Sequence, residues 1–177
     1  MASKTFVDQL NVQIGNEFAA HQQYVACAVY YDGLTMPQMA GFFYRQAIEE
    51  RGHAMMMVQY LLDAGADATV PGVAAPRTTF ADLVEPVALA LDQERRVTEQ
   101  INALAATARA ENDFTSEQFV QWFIKEQVEE VATMSDLLRV VERSRNDPMD
   151  VENWLAREHS GGEAADPTAP QPAGAGA

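Results

Sequence analysis

Two sets of polar residues recur at one spacing along this chain. Glu17 is followed 33 residues later by Glu50, and His53 lies three further on; Glu94 is followed at the same distances by Gln127 and Glu130. Groups at i and i+3 share one face of a helix. Carboxylates together with an imidazole suit ferrous iron, manganese or zinc. The pattern therefore offers two half-sites for metal ions. One is Glu17 with Glu50-Arg51-Gly52-His53, and the other is Glu94 with Gln127-Val128-Glu129-Glu130. The four carboxylates of Glu17, Glu50, Glu94 and Glu130 carry a charge that two divalent cations would balance.

The spacing also states what must position these groups. The midpoint of residues 17 and 50 falls in Asp32-Gly33-Leu34-Thr35, and that of 94 and 127 in Ala110-Glu111-Asn112-Asp113. Both segments have turn chemistry. If each half is a helical hairpin, its two polar groups stand at one height on facing helices. Packing two hairpins together then brings all four to one level.

The remaining signals fit that plan. A first helix is expected over about 6–32, with Thr5 and Asp8 as a capping box and Gly33 as its stop. A second follows Thr35, with Pro37 in its first turn, and ends near Ala64 before Gly65. Residues 66–82 hold Pro71, Gly72 and Pro76 and are expected to be extended. A third helix runs from near Pro86 to near Glu111, and a fourth from after Thr115 to near Arg145. Asp147-Pro148 starts a short fifth helix over Pro148–Glu158. A helix of such length measures about 40 Å at 1.5 Å per residue, and an extended crossover can span it. The fold class is therefore all-α: a four-helix bundle with one long crossover and a short C-terminal helix. Bundles of this connectivity use Glu-x-x-His pairs and lone glutamates as di-iron ligands. One domain is expected over residues 1–159. The Gly/Ala/Pro-rich residues 160–177 are expected to be disordered and dispensable for folding.

A glutamate on a helix usually faces solvent; here the acids interrupt apolar stripes. The stripes read Phe6, Leu10, Ile14, Glu17, His21, Tyr24, Ala28; then Phe43, Ala47, Glu50, Ala54, Met57, Leu61; then Val87, Leu91, Glu94, Val97, Ile101, Leu104; and finally Val120, Phe123, Gln127, Glu130, Met134, Leu137, Val141. Buried carboxylates at one level are unfavourable unless cations compensate them.

Composition narrows the function classes. A net charge of −14 disfavours nucleic acid and anionic membranes and favours cations. The single cysteine, Cys27, leaves no internal disulfide and fits a reducing, cytoplasmic setting. No signal peptide or membrane span is expected.

On these motifs the chain closely resembles the non-haem bacterial ferritins. The likeness covers about residues 5–158. It rests on Asn16-Glu17-Phe18 with Tyr24, Glu49-Glu50-Arg51-Gly52-His53, Asp92-Gln93-Glu94-Arg95, Gln121-Trp122-Phe123 and Glu126-Gln127-Val128-Glu129-Glu130. The resemblance implies a hollow shell of 24 subunits. Each subunit would carry a ferroxidase centre that oxidises ferrous iron with dioxygen or hydrogen peroxide and deposits ferric mineral inside. By position, Glu17, Glu50 and His53 would bind the first iron. Glu50 would bridge to a second iron held by Glu94 and Glu130, with Gln127 alongside and Tyr24 adjacent. Glu49, Glu126 and Glu129 match a third iron position. His21 matches no ligand and is expected to be a hydrogen-bonded core histidine.

Bacterioferritins differ: they carry a second Glu-x-x-His where Glu130 stands, and a haem-binding Met where Arg51 stands, so no haem is expected. Asp113 and Glu117 are expected to form an acidic iron opening near the three-fold axes. Val151, Trp154 and Leu155 are expected to serve shell assembly, and the tail is a possible docking segment for another shell protein. A di-iron oxidase acting on an organic substrate, or a helical adaptor without catalysis, would use the same fold without the stored mineral.

Overall fold

The computed structural model describes residues 2–145, 147–158 and 166–175. Five helices and no strand occur among them: α1 (Lys4–Gly33), α2 (Pro37–Asp63), α3 (Glu85–Ala110), α4 (Phe114–Arg143) and α5 (Pro148–Glu158). α1 packs on α2 and α3 on α4 as antiparallel hairpins, and the two hairpins meet along α1 and α3. The expected architecture is present.

Helix ends follow local chemistry, with differences from the expected caps. α1 starts earlier than the Thr5–Asp8 pattern suggests: Ser3 Oγ accepts the Phe6 N–H at 3.2 Å. Asp8 instead pairs with Lys4, one turn back, at 2.6 Å. Gly65 ends α2 in the left-handed region, φ +67°, where glycine carries no Cβ penalty. Thr35 and Asn112 take the left-handed position in the two hairpin turns, at φ 59° and 55°. The N-cap of α4 is Asp113, whose Oδ1 accepts the Ser116 N–H at 3.2 Å and whose Oδ2 accepts the Ser3 N–H at 2.9 Å. This carboxylate ties the start of α1 to the start of α4.

α2 has no cap of its own from Met36. Glu152 of α5 supplies one: its two carboxylate oxygens accept the N–H groups of Gln38 and Met39, each at 2.9 Å. Val151 and Leu155 beside it are buried in the subunit's own core, with Trp154 packed against them. The apolar strip expected to wait for a neighbouring subunit is thus largely used within the chain. Replacing Glu152 by Ala should cost about 1–2 kcal/mol, the scale of a lost helix cap, whereas Gln, which keeps an acceptor, should cost less. Denaturant unfolding of the two variants checks this; equal stability of wild type and Glu152→Ala would contradict it.

The crossover between α2 and α3 is stitched to α1 by two amides. Asn11 donates to Asp67 O at 2.9 Å and accepts from Thr69 N at 2.6 Å. Gln23 donates to Arg77 O and accepts from Arg77 N, both at 2.9 Å. Each amide pairs with the extended backbone as a neighbouring strand would. Between them Gly15 lets the crossover lie against the helix: a Cβ there would come within 3.0 Å of Pro71 Cγ.

Two apolar clusters fill the bundle. One gathers Tyr24, Phe43, Leu91 and Met134 toward α5; the other gathers Ile14, Met57, Val97 and Phe123 toward the opposite end. The layer of repeated acids lies between them.

Part of the tail lies on the bundle. Residues 159–165 and 176–177 lie outside the described residues, but 166–175 run against α2 and α4. Ala173 N donates to Met55 O at 3.0 Å, and Asp166 accepts from Trp122 Nε1 and Lys125 Nζ, each at 3.2 Å. The tail has no large apolar side chain, which is why disorder was expected. Polar contacts hold it instead, and Pro167, Pro170 and Pro172 reduce the chain entropy lost on ordering.

Candidate metal centre

The repeated residues meet inside the bundle. Glu17, Glu50, His53, Glu94, Gln127 and Glu130 are at most 4% exposed, so the solvated-surface reading of these acids is excluded. Ala47 and Ala54, buried one turn on either side of Glu50, leave room for polar groups in the core. Ligand atoms of Glu17, Glu50 and His53 all lie within 4.8 Å of one another. His53 Nδ1 stands 3.5 Å from Glu50 Oε2 and 4.0 Å from Glu17 Oε2. These two oxygens are buried and have no hydrogen-bond partner among the described residues.

The electrostatics match a cation site. Burial lowers the His53 pKa to about 4, so at neutral pH the ring is neutral and its lone pair can bind a metal. Burial, followed by the charges of Glu94 and Glu17, holds the Glu50 carboxyl well above its ordinary range; Glu130 adds to the effect. Burial also raises Glu17. Glu94 is raised by burial to about 7, against a hydrogen bond from Tyr24 that lowers it. A divalent cation would supply the missing counter-charge and displace protons from these acids.

Surrounding residues set the orientation of the acids. Tyr24, fully buried, donates its hydroxyl to Glu94 Oε1. Gln127 Nε2 lies 3.5 Å from Glu94 Oε2, and Thr98 Oγ1 donates to Gln127 Oε1 at 3.0 Å. Gln13 Nε2 donates to Glu17 Oε1 at 2.7 Å. Sequence reasoning missed Gln13 and Thr98, although each stands four residues from a ligand candidate on the same helix face, a spacing that could have found them. His21 is a hydrogen-bonded histidine, as expected, with Nδ1 2.6 Å from Ala47 O.

A second group adjoins the first. Ligand atoms of Glu49, His53 and Glu126 lie within 4.8 Å of one another, and Glu129 lines the same cavity of about 400 Å³. The His53 ring belongs to both groups, which sequence reasoning did not foresee. Trp122 and Phe123 stand edge-on to that ring, at centroid distances of 5.6 and 5.8 Å. The acids expected at an iron opening are otherwise engaged: Asp113 is the cap described above, and Glu117 accepts from Arg109 Nε and Nη2 at 2.8 and 2.5 Å.

The raised Glu94 gives a signed pH prediction. A carboxyl whose pKa rises on folding, here from its ordinary 4.5 to about 7, contributes stability that is present below the lower value and lost as pH rises through the higher. Relative to Glu94→Gln, the metal-free wild type should lose thermal stability across that interval. Parallel melting temperatures from pH 4 to pH 8 would contradict the assignment.

Comparison with known proteins shows which family the fold belongs to. The ferritin-like domain family matches residues 7–144. A ferritin of Mycolicibacterium smegmatis, BfrB, is 53% identical over 162 residues, covering 92% of this chain and 89% of that protein. A bacterial non-heme ferritin of Staphylococcus aureus is 35% identical over 147 residues, covering 83% and 89%. Among solved structures, an open pore ferritin from the archaeon Archaeoglobus fulgidus superposes with a TM-score of 0.85 at 26% identity, covering 89% of this chain and 99% of that one. Among the described residues, no helix is long and apolar enough to cross a membrane. The chain belongs to the ferritin family.

Proposed function

We propose that this chain stores iron: it takes up ferrous ions, oxidises them at the buried carboxylate centre with dioxygen or hydrogen peroxide, and deposits the ferric product inside a shell of 24 copies in the cytoplasm. The observation that carries this reading is the meeting of Glu17, Glu50 and His53, all buried, with two carboxylate oxygens that lack a hydrogen-bond partner among the described residues. Ferrous iron is the substrate here, and each ion surrenders one electron to the oxidant.

Glu17, Glu50 and His53 bind the first ion; Glu50 also reaches the second, which Glu94 and Glu130 hold with the neutral Gln127 alongside. His53 binds as a neutral donor, because burial keeps it unprotonated. Tyr24 orients Glu94 through its hydroxyl. Glu49, Glu126 and Glu129 form an outer cation pocket, adjacent through His53, that serves as a third iron position. No haem takes part in this reading.

The test is the native particle mass together with its iron content after aerobic loading with ferrous iron. The expected result is a closed 24-subunit particle holding far more iron than its ligand sets could coordinate. A monomer, or a particle that retains only a few irons per subunit, would overturn the storage reading.

A further inference from the structure

The outer cation pocket is lined in part by two residues of the tail. Its lining includes Glu49, His53, Glu126 and Glu129 and also Lys125, Asp166 and Ala169. Lys125 is the only cationic side chain among the lining residues. It directly precedes Glu126 and stands one helical turn from Glu129, close enough to feel both charges. Unrestrained, its ammonium could reach these acids and compete with a metal ion for them. Asp166 intercepts it: Oδ2 accepts from Lys125 Nζ and from Trp122 Nε1, each at 3.2 Å. Its other oxygen accepts from Thr168 N and Oγ1 at 2.8 and 2.7 Å, so the carboxylate is held by its own turn. Ala173 N anchors the far end of the segment on Met55 O at 3.0 Å. The Trp122 ring that Asp166 holds is the one standing edge-on to His53.

We propose that Asp166 is a positioning residue for metal binding: by pairing with Lys125 and holding Trp122 at the rim, the tail segment 166–175 offsets the one cationic side chain of the lining and so favours a divalent cation beside Glu49, Glu126 and Glu129. The proposal rests on the outer-pocket reading above and adds the tail to it. The tail thereby has a role in cation uptake that its small, polar composition does not suggest.

The test is calorimetric titration of the assembled, metal-free, full-length protein with Zn²⁺, a redox-silent divalent ion. The variants are Asp166→Asn, Asp166→Glu, Lys125→Gln and the double variant Asp166→Asn/Lys125→Gln. Asp166→Asn should weaken the outer site about tenfold, because an ammonium a few ångströms from the acids then opposes the incoming cation. Asp166→Glu should restore most of the affinity. The double variant should bind zinc at least as tightly as wild type, since the competing cation is gone; a merely structural role for the tail would not give that rescue. Three zinc sites in wild type with no weakening in Asp166→Asn, or a double variant as weak as Asp166→Asn, would overturn the proposal alone. Absence of an outer site in wild type, with Glu126→Gln/Glu129→Gln indistinguishable from it, would overturn the outer-pocket reading and the proposal with it.

Discussion

Replacement of Glu50 by Ala will abolish the fast phase of ferrous oxidation. Glu50 stands between the half-sites: it is 3.5 Å from His53 Nδ1, and the charges of Glu94, Glu17 and Glu130 all act on it. In the proposed reading it is the side chain that holds two cations together. Its loss should slow initial oxidation on the order of a hundredfold, the scale on which one preorganised charged group contributes. The same substitution should not unfold the protein. Without metal the Glu50 carboxyl is unfavourably placed, and removing it relieves repulsion among buried acids, so the metal-free variant should melt at or above the wild-type temperature. Oxidation lost with stability kept is the signature of a group retained for function at a cost in stability. An unchanged initial rate in Glu50→Ala, measured by stopped-flow on the assembled particle, would contradict the assigned role.

The second large effect concerns the asymmetry of the repeat. The first half offers Glu50 and His53, whereas the second offers Gln127 and Glu130. Gln127 brings no charge: its amide nitrogen faces Glu94 at 3.5 Å and its oxygen is held by Thr98 at 3.0 Å. The second half thus offers two carboxylates and a neutral amide where a copy of the first would offer two carboxylates and an imidazole. A neutral amide is a weaker donor to ferrous iron than an imidazole, and a weakly held ion can leave after oxidation to join a mineral. Converting the second half into a copy of the first, Gln127→Glu with Glu130→His, should hold iron about tenfold more tightly, the lower scale of ligand-environment effects on metal affinity. It should also slow repeated oxidation cycles. The measurement is iron retained per subunit after gel filtration, with the rate over successive additions. Equal retention and equal turnover in variant and parent would mean that iron exit is controlled elsewhere.

Most of the bundle and its buried layer could be read from the chain because each depends on periodicity. The stripes through Glu17, Glu50, Glu94 and Gln127 fold inward as written, and the equal spacing places them between the same two apolar clusters. What periodicity does not encode is pairing between distant segments. The cap that Glu152 provides to α2, the stitching of the crossover by Asn11 and Gln23, and the contact of Asp166 with Trp122 and Lys125 each join residues far apart in the chain. Each does so through one or two polar atoms, which leave no repeating trace. The fifth helix shows the same limit. Its apolar strip was visible, but the sequence does not say whether Val151 and Leu155 pack on their own subunit or on another. The contacts of segment 166–175 are equally invisible in the sequence, since they rest on one carboxylate and one backbone hydrogen bond.

The central claim is that two iron ions bind side by side around Glu50, within the bundle. Anomalous diffraction at the iron edge, from crystals exposed to ferrous iron without oxidant, tests it most directly. Two peaks per subunit are expected, about 3.5–4 Å apart as in other paired-metal sites. One should lie against Glu17, Glu50 and His53 and the other against Glu50, Glu94 and Glu130. Iron found only on the surface acids, with no density among these buried residues, would contradict the account.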